Sequence, residues 1–129
     1  MSRKLMRTLA AGLLAALLTA CGAEQGGGGA AQIDGSKVDV ILTSAEPAAA
    51  GEETTLIAEL TGAVFPEELT FVQFDVRKAD GPVLINGELQ GEQRYTAQHR
   101  FEEPGVYDVV LHIYVEDLHL MKRKQVEVQ

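Results

Sequence analysis

Metal-ligating side chains gather near the C-terminal end of this 129-residue chain, in the segment His119-Leu120-Met121 with His112 seven residues upstream. An imidazole ligates Cu(I), Cu(II) and Zn(II), whereas a thioether favours Cu(I). A methionine at a solvent-facing position gains little from the hydrophobic effect, so its presence beside histidines points toward ligation.

Two runs must position these side chains. In Val106–Val115 the odd positions Tyr107, Val109, Leu111, Ile113 and Val115 are apolar, the period-2 mark of a strand with one buried face. The even positions carry Asp108 and His112 with Val110 and Tyr114, a face open in part to water. In the return run His119–Val128, Val126 and Val128 are apolar, and His119, Met121, Arg123, Gln125 and Glu127 alternate with them. In an antiparallel hairpin, paired residues share a face, so partner numbers must have an odd sum. A sum of 233 sets His112 opposite Met121 and Tyr114 opposite His119; a sum of 235 shifts the partners by two. Either register puts His112, His119 and Met121 together on the outer face. Glu116 and Asp117 form the polar tip of the hairpin and add negative potential beside the cluster. Lys122-Arg123-Lys124 reads as solvated edge charge that resists edge-to-edge aggregation, or as a docking patch for an acidic partner.

Catalytic chemistry finds few residues to carry it, and the expectation is a non-enzymatic protein. The serines Ser36 and Ser44 have no histidine partner nearby in sequence. The pairs Glu52/Glu53, Glu67/Glu68 and Glu102/Glu103 sit next to Pro or Gly in loops, and the Gly26–Gly29 run follows no strand and opens no helix, unlike a phosphate-binding loop.

Residues 1–20 read as a secretory signal: Arg3, Lys4 and Arg7, then an apolar run from Leu9 to Leu18, too short for a comfortable membrane span. The sequence Leu18-Thr19-Ala20-Cys21-Gly22 resembles the lipobox of bacterial lipoproteins, which implies cleavage before Cys21 and lipid attachment to its sulfur. Two acyl chains on one thiol give stable anchoring. The expected location is the extracytoplasmic face of the cell membrane. Cys21 is the sole cysteine, so neither a disulfide nor a thiolate site remains. Loss of the signal's three basic residues leaves eight Lys/Arg against 19 Asp/Glu, a formal charge of −11. Such a surface repels nucleic acid and anionic headgroups and concentrates cations.

Residues 21–36, rich in Gly, Ala and Gln, form a flexible tether, and residues 37–129 form the domain. Strands are expected at Lys37–Thr43, Thr54–Thr61, Thr70–Lys78, Val83–Ile85 and Glu92–Phe101, followed by the hairpin, with turns at Ala79–Pro82 and Glu102–Gly105. About seven short strands with no convincing helix predict an antiparallel two-sheet β-sandwich. Tyr107, after Pro104-Gly105, stands where such folds place a corner tyrosine.

Ala45-Glu46-Pro47 before Gly51, Phe101-Glu102-Glu103-Pro104-Gly105-Val106-Tyr107, and the ending from His112 to Lys122 resemble the YtkA-like family and, more loosely, the FixH-like proteins. The resemblance covers residues 37–129. It implies a small immunoglobulin-like domain, frequently a lipoprotein of Gram-positive bacteria, of a family discussed with copper handling and the maturation of copper enzymes. Lys122 stands where the family often has Pro after His-x-Met. His99 occupies a fourth family-like position, although it shares a face with Tyr95, Ala97 and Phe101, where a lone histidine is usually a hydrogen-bonded core residue. Two functions follow. One is a copper-binding or transfer module, Cu(I) favoured, with His112, His119 and Met121 as ligands and His99 as an outside candidate. The other is a metal-free interaction module that docks onto an envelope protein.

Overall fold

The computed structural model describes residues 33–129, so the signal sequence, Cys21 and most of the tether lie outside the described residues. Eight strands follow in order: β1 (Asp39–Ser44), β2 (Glu53–Thr61), β3 (Thr70–Lys78), β4 (Gly81–Asn86), β5 (Glu88–Gly91), β6 (Arg94–Arg100), β7 (Gly105–Val115) and β8 (Leu118–Val128). A single 3-10 turn at Glu67–Leu69 precedes β3. No helix among the described residues is long and apolar enough to cross a membrane.

The strands form two antiparallel sheets, ordered β1-β2-β6-β5 and β4-β3-β7-β8. Two antiparallel sheets of four strands each, packed face to face, make an immunoglobulin-like β-sandwich. The alternation in the sequence dictates which side of each strand is dry. Leu56, Ala58 and Leu60 of β2 face Val72, Phe74 and Val76 of β3 and Val109, Leu111 and Ile113 of β7 across the interior, all buried. With no disulfide available, apolar burial at roughly 25 cal/mol per Å² supplies the main stabilising force.

Tyr107 makes the corner expected of it: its hydroxyl donates a 2.6 Å hydrogen bond to the Glu103 carbonyl, while its ring packs 4.7 Å from that of Phe101. The bond fixes the entry of β7, and with it the phase of every outward side chain that follows.

Most boundaries fall within a residue of the sequence expectation, and three differences are larger or have a clear physical cause. The segment expected at Val83–Ile85 spans Gly81–Asn86 and continues through Gly87 into β5, so the chain crosses from one sheet to the other without a turn. At the crossing the Gly87 amide donates to the Val72 carbonyl at 2.7 Å, and a Cβ there would lie 2.8 Å from that same oxygen. Only glycine permits that approach. Secondly, Glu92 and Gln93, assigned to a strand, instead make the two-residue turn between β5 and β6 with φ of 54° and 64°, the geometry that suits strand twist in a tight hairpin. Thirdly, β1 starts at Asp39, because Asp34–Lys37 is a turn closed by the Lys37 amide on the Asp34 carbonyl. Pro82 lies on the sheet-edge strand β4, where the missing N–H costs no ladder bond.

Candidate metal centre on the outer face of the second sheet

The β7–β8 hairpin adopts the register with a sum of 233. Tyr107 is paired with Val126, His112 with Met121 and Tyr114 with His119, around the two-residue turn Glu116-Asp117. Leu118 and Leu120 therefore join the partly buried rim of the core, and His112, His119 and Met121 all emerge from the opposite side. Met121 is 61% exposed.

The histidines are held by different neighbours. His119 lies flat on Tyr114, ring centroids 4.2 Å apart and planes within 12°, and Tyr114 in turn lies 5.9 Å from Phe71 of β3. Three strands thus contribute one rung, Phe71–Tyr114–His119, which restricts the His119 ring. His112 is set by polar contacts: its Nδ1 lies 3.1 Å from His119 Nε2, and its Nε2 lies 3.0 Å from Asp75 Oδ2.

By the alternation of β3, Asp75 lies with Gln73 and Arg77 on the side opposite the core residues Val72, Phe74 and Val76. It is 3% exposed. On its rung it lies between Leu84 of β4 and Val110 of β7, and Arg77 and His112 both bond to its Oδ2, Arg77 at 2.7 Å. Its other oxygen, Oδ1, is buried without a hydrogen-bond partner. A polar tetrad Arg77–Asp75–His112–His119 therefore runs across three strands. It escaped the sequence reading because β3 and β7 pair across a long stretch of chain, and nothing local reveals which outward residue of β3 faces His112.

His99 stands apart. It lies on β6 in the other sheet, packed edge-on against Phe101 at 4.6 Å. It borders a cavity of about 270 Å³ lined also by Lys78, Glu102 and Tyr107. Burial, and then the Lys78 ammonium, hold its imidazole below the ordinary value, with Glu102 opposing. Its Nε2 is buried and unpartnered. It is an interior-side histidine, not a fourth member of the cluster.

The basic run on β8 is largely occupied. Arg123 lies 3.7 Å from Asp108, and Lys124 bonds Asp39 of the opposite sheet at 2.8 Å, which leaves Lys122 as the member without an ion pair among the described residues.

The donor set can be tested for fit to a metal ion. Two imidazole nitrogens at about 2.0–2.1 Å from a tetrahedral ion lie roughly 3.3 Å apart, close to the 3.1 Å separation of His112 Nδ1 and His119 Nε2. Among the described residues no three His, Cys, Asp or Glu side chains converge as a metal-holding group. The reason is geometric: Asp75 sits on the far nitrogen of His112 and cannot share a metal with it. Any third protein ligand near the pair must come from outside that set, and the cross-strand partner of His112 is the thioether of Met121. Two imidazoles and a thioether suit copper better than a hard cation.

No protein-family model and no curated protein matches the chain. Among solved structures, the crystal structure of an engineered protein resembles it with a TM-score of 0.50 at 17% identity, over 70% of this chain and 20% of that one. The likeness extends to the fold alone, and the chain spans about a fifth of that protein's length.

Proposed function

We propose that this protein is a membrane-anchored extracytoplasmic lipoprotein whose YtkA-like sandwich binds and passes on copper, without catalysing a reaction. His112 through Nδ1, His119 through Nε2 and Met121 through its sulfur would hold the ion. A thioether and an open, one-sided site favour Cu(I) and exchange over storage. The observation that carries the reading is the pair of facing imidazole nitrogens 3.1 Å apart with an exposed methionine directly across the strand pair. Attachment through Cys21 would leave the sandwich on a tether of some fifteen residues, roughly 20 Å in root-mean-square reach, which suits a partner in or at the same membrane, such as a copper enzyme under assembly.

The test is a titration of the full chain carrying Cys21→Ser, which removes the competing thiol, with Cu(I) against a chromophoric chelator. One equivalent should bind, and His119→Ala or Met121→Ala should weaken it at least tenfold while leaving unfolding midpoints nearly unchanged, since both side chains are exposed. Binding no stronger than that of the double variant His112→Ala/His119→Ala would reject the reading.

A second reading has its own observation. Phe71, Leu84 and Met121 are 42%, 56% and 61% exposed, and all three stand on this same outer face. In that case the face docks onto an envelope protein with no metal. Capture of a membrane partner that persists in a copper chelator and is lost with Phe71→Ser and Leu84→Ser would favour it.

A further inference from the structure

His112 offers two nitrogens, and its surroundings treat them differently. Arg77 only donates, and at 2.7 Å its Nη2 directs a proton at Asp75 Oδ2. That oxygen is therefore an acceptor, so His112 Nε2, 3.0 Å away, must be the donor. A neutral imidazole with its proton on Nε2 has its lone pair on Nδ1, the atom that faces His119 Nε2. The His112 side chain is only 13% exposed and Asp75 4%, so water has little access to compete for the Nε2 proton. Arg77, half exposed at 48%, sets its positive charge directly against the buried carboxylate at 2.7 Å.

We infer that Asp75 is the positioning residue of this centre: seated under Arg77, it holds the His112 proton on Nε2 and so presents Nδ1, and not Nε2, to the ion. This rests on the metal-binding reading above. Ligating histidines commonly donate their second N–H to a carboxylate, which fixes ring and tautomer, and loss of that partner typically weakens binding 10–100-fold. Without Asp75 the proton redistributes between the two nitrogens, the ring loses its anchor and Nδ1 becomes a weaker base. These losses together weaken ligation.

The experiment combines nitrogen-15 NMR of the histidine rings with Cu(I) competition, on the full chain carrying Cys21→Ser. In the metal-free protein at neutral pH, His112 should show a protonated, slowly exchanging Nε2. Addition of Cu(I) should displace the Nδ1 resonance and leave the Nε2 proton in place. Asp75→Leu, which retains no acceptor, should lose the slow exchange, show a mixed tautomer, and bind Cu(I) 10–100-fold more weakly while keeping the amide dispersion of a folded sandwich. A wild-type His112 found protonated on Nδ1, or an Asp75→Leu variant that binds Cu(I) as tightly as wild type, overturns the inference and leaves copper binding intact. If wild type itself takes up no Cu(I), both fall together, a distinct outcome. Should Asp75→Leu not fold, the wild-type spectra decide between the two tautomers unaided.

Discussion

Asp75→Leu also makes a stability prediction whose sign is informative. The carboxylate is 3% exposed, with one oxygen shared by Arg77 and His112 and the other unpartnered. Taking a carboxylate out of water costs several kcal/mol, and an unsatisfied buried acceptor alone costs about 1–3 kcal/mol. Leucine removes both penalties and adds apolar burial beside Val110 and Leu84, worth at most about 1.5–3 kcal/mol. Against this stand two lost charge-assisted bonds of about 1.5–3 kcal/mol each. The Arg77 end, half exposed, returns to water, while the His112 N–H is left with little to bond. The terms nearly cancel. Removing one partner of an ion pair is costly when the other stays buried, but the half-exposed Arg77 can reach water. That moves the outcome toward the neutral or stabilising result of replacing a whole buried pair. We expect a change between zero and about 2 kcal/mol of stabilisation, read by urea unfolding at pH 7.5 with an unchanged denaturant slope. For a domain this size, each kcal/mol moves the melting midpoint about 4–8 °C. Arg77→Leu should have the opposite sign, a loss of about 1–3 kcal/mol, because it strands a buried charge; the exposure of the arginine keeps the figure below that of a fully buried pair. A loss above about 2 kcal/mol for Asp75→Leu would refute the reasoning, since it would mean that the tetrad is a net source of stability and not a feature retained for the site.

Tyr107→Phe deletes the corner hydrogen bond to the Glu103 carbonyl and should cost about 0.5–1.5 kcal/mol in urea unfolding; no measurable change would mean that packing against Phe101 alone sets the corner. His99 is held below its ordinary value of 6.5, so the native state takes up its proton less readily than the unfolded chain. Its contribution is therefore intact above about pH 6.5 and declines as the pH falls from there toward the folded value. Melting curves from pH 7.5 to 5.5 should show His99→Phe losing less stability than wild type over that interval, and an equal loss would contradict it. Cys21→Ser should abolish fatty-acid labelling and release the protein from the membrane fraction, whereas retention there would argue against anchoring by lipid.

Much of the sandwich was legible because its causes are local. The alternation in β2, β3, β6 and β7 marks their dry sides, and Pro104-Gly105 before Tyr107 marks the corner. β5 escaped notice because Glu88-Leu89-Gln90-Gly91 has one large apolar residue, and its strand character comes from its pairing with β6. His99 kept to the side its alternation predicts, among Tyr95, Ala97 and Phe101, and that placement removes it from the hairpin cluster.

Parity is a property of the chain: a period of two residues fixes which side of a strand each side chain takes, so the sequence by itself placed His112, His119 and Met121 on one face. Distance between strands far apart in sequence is not such a property. The register of the hairpin and the stacking of His119 on Tyr114 were decided where β8 pairs with β7, and the burial of Asp75 beneath Arg77 and His112 only when β3 and β7 came to lie side by side. That pairing is chosen by the shared core of the sandwich, because Phe74 and Leu111 must meet inside it, and the polar residues behind them are brought together as a consequence.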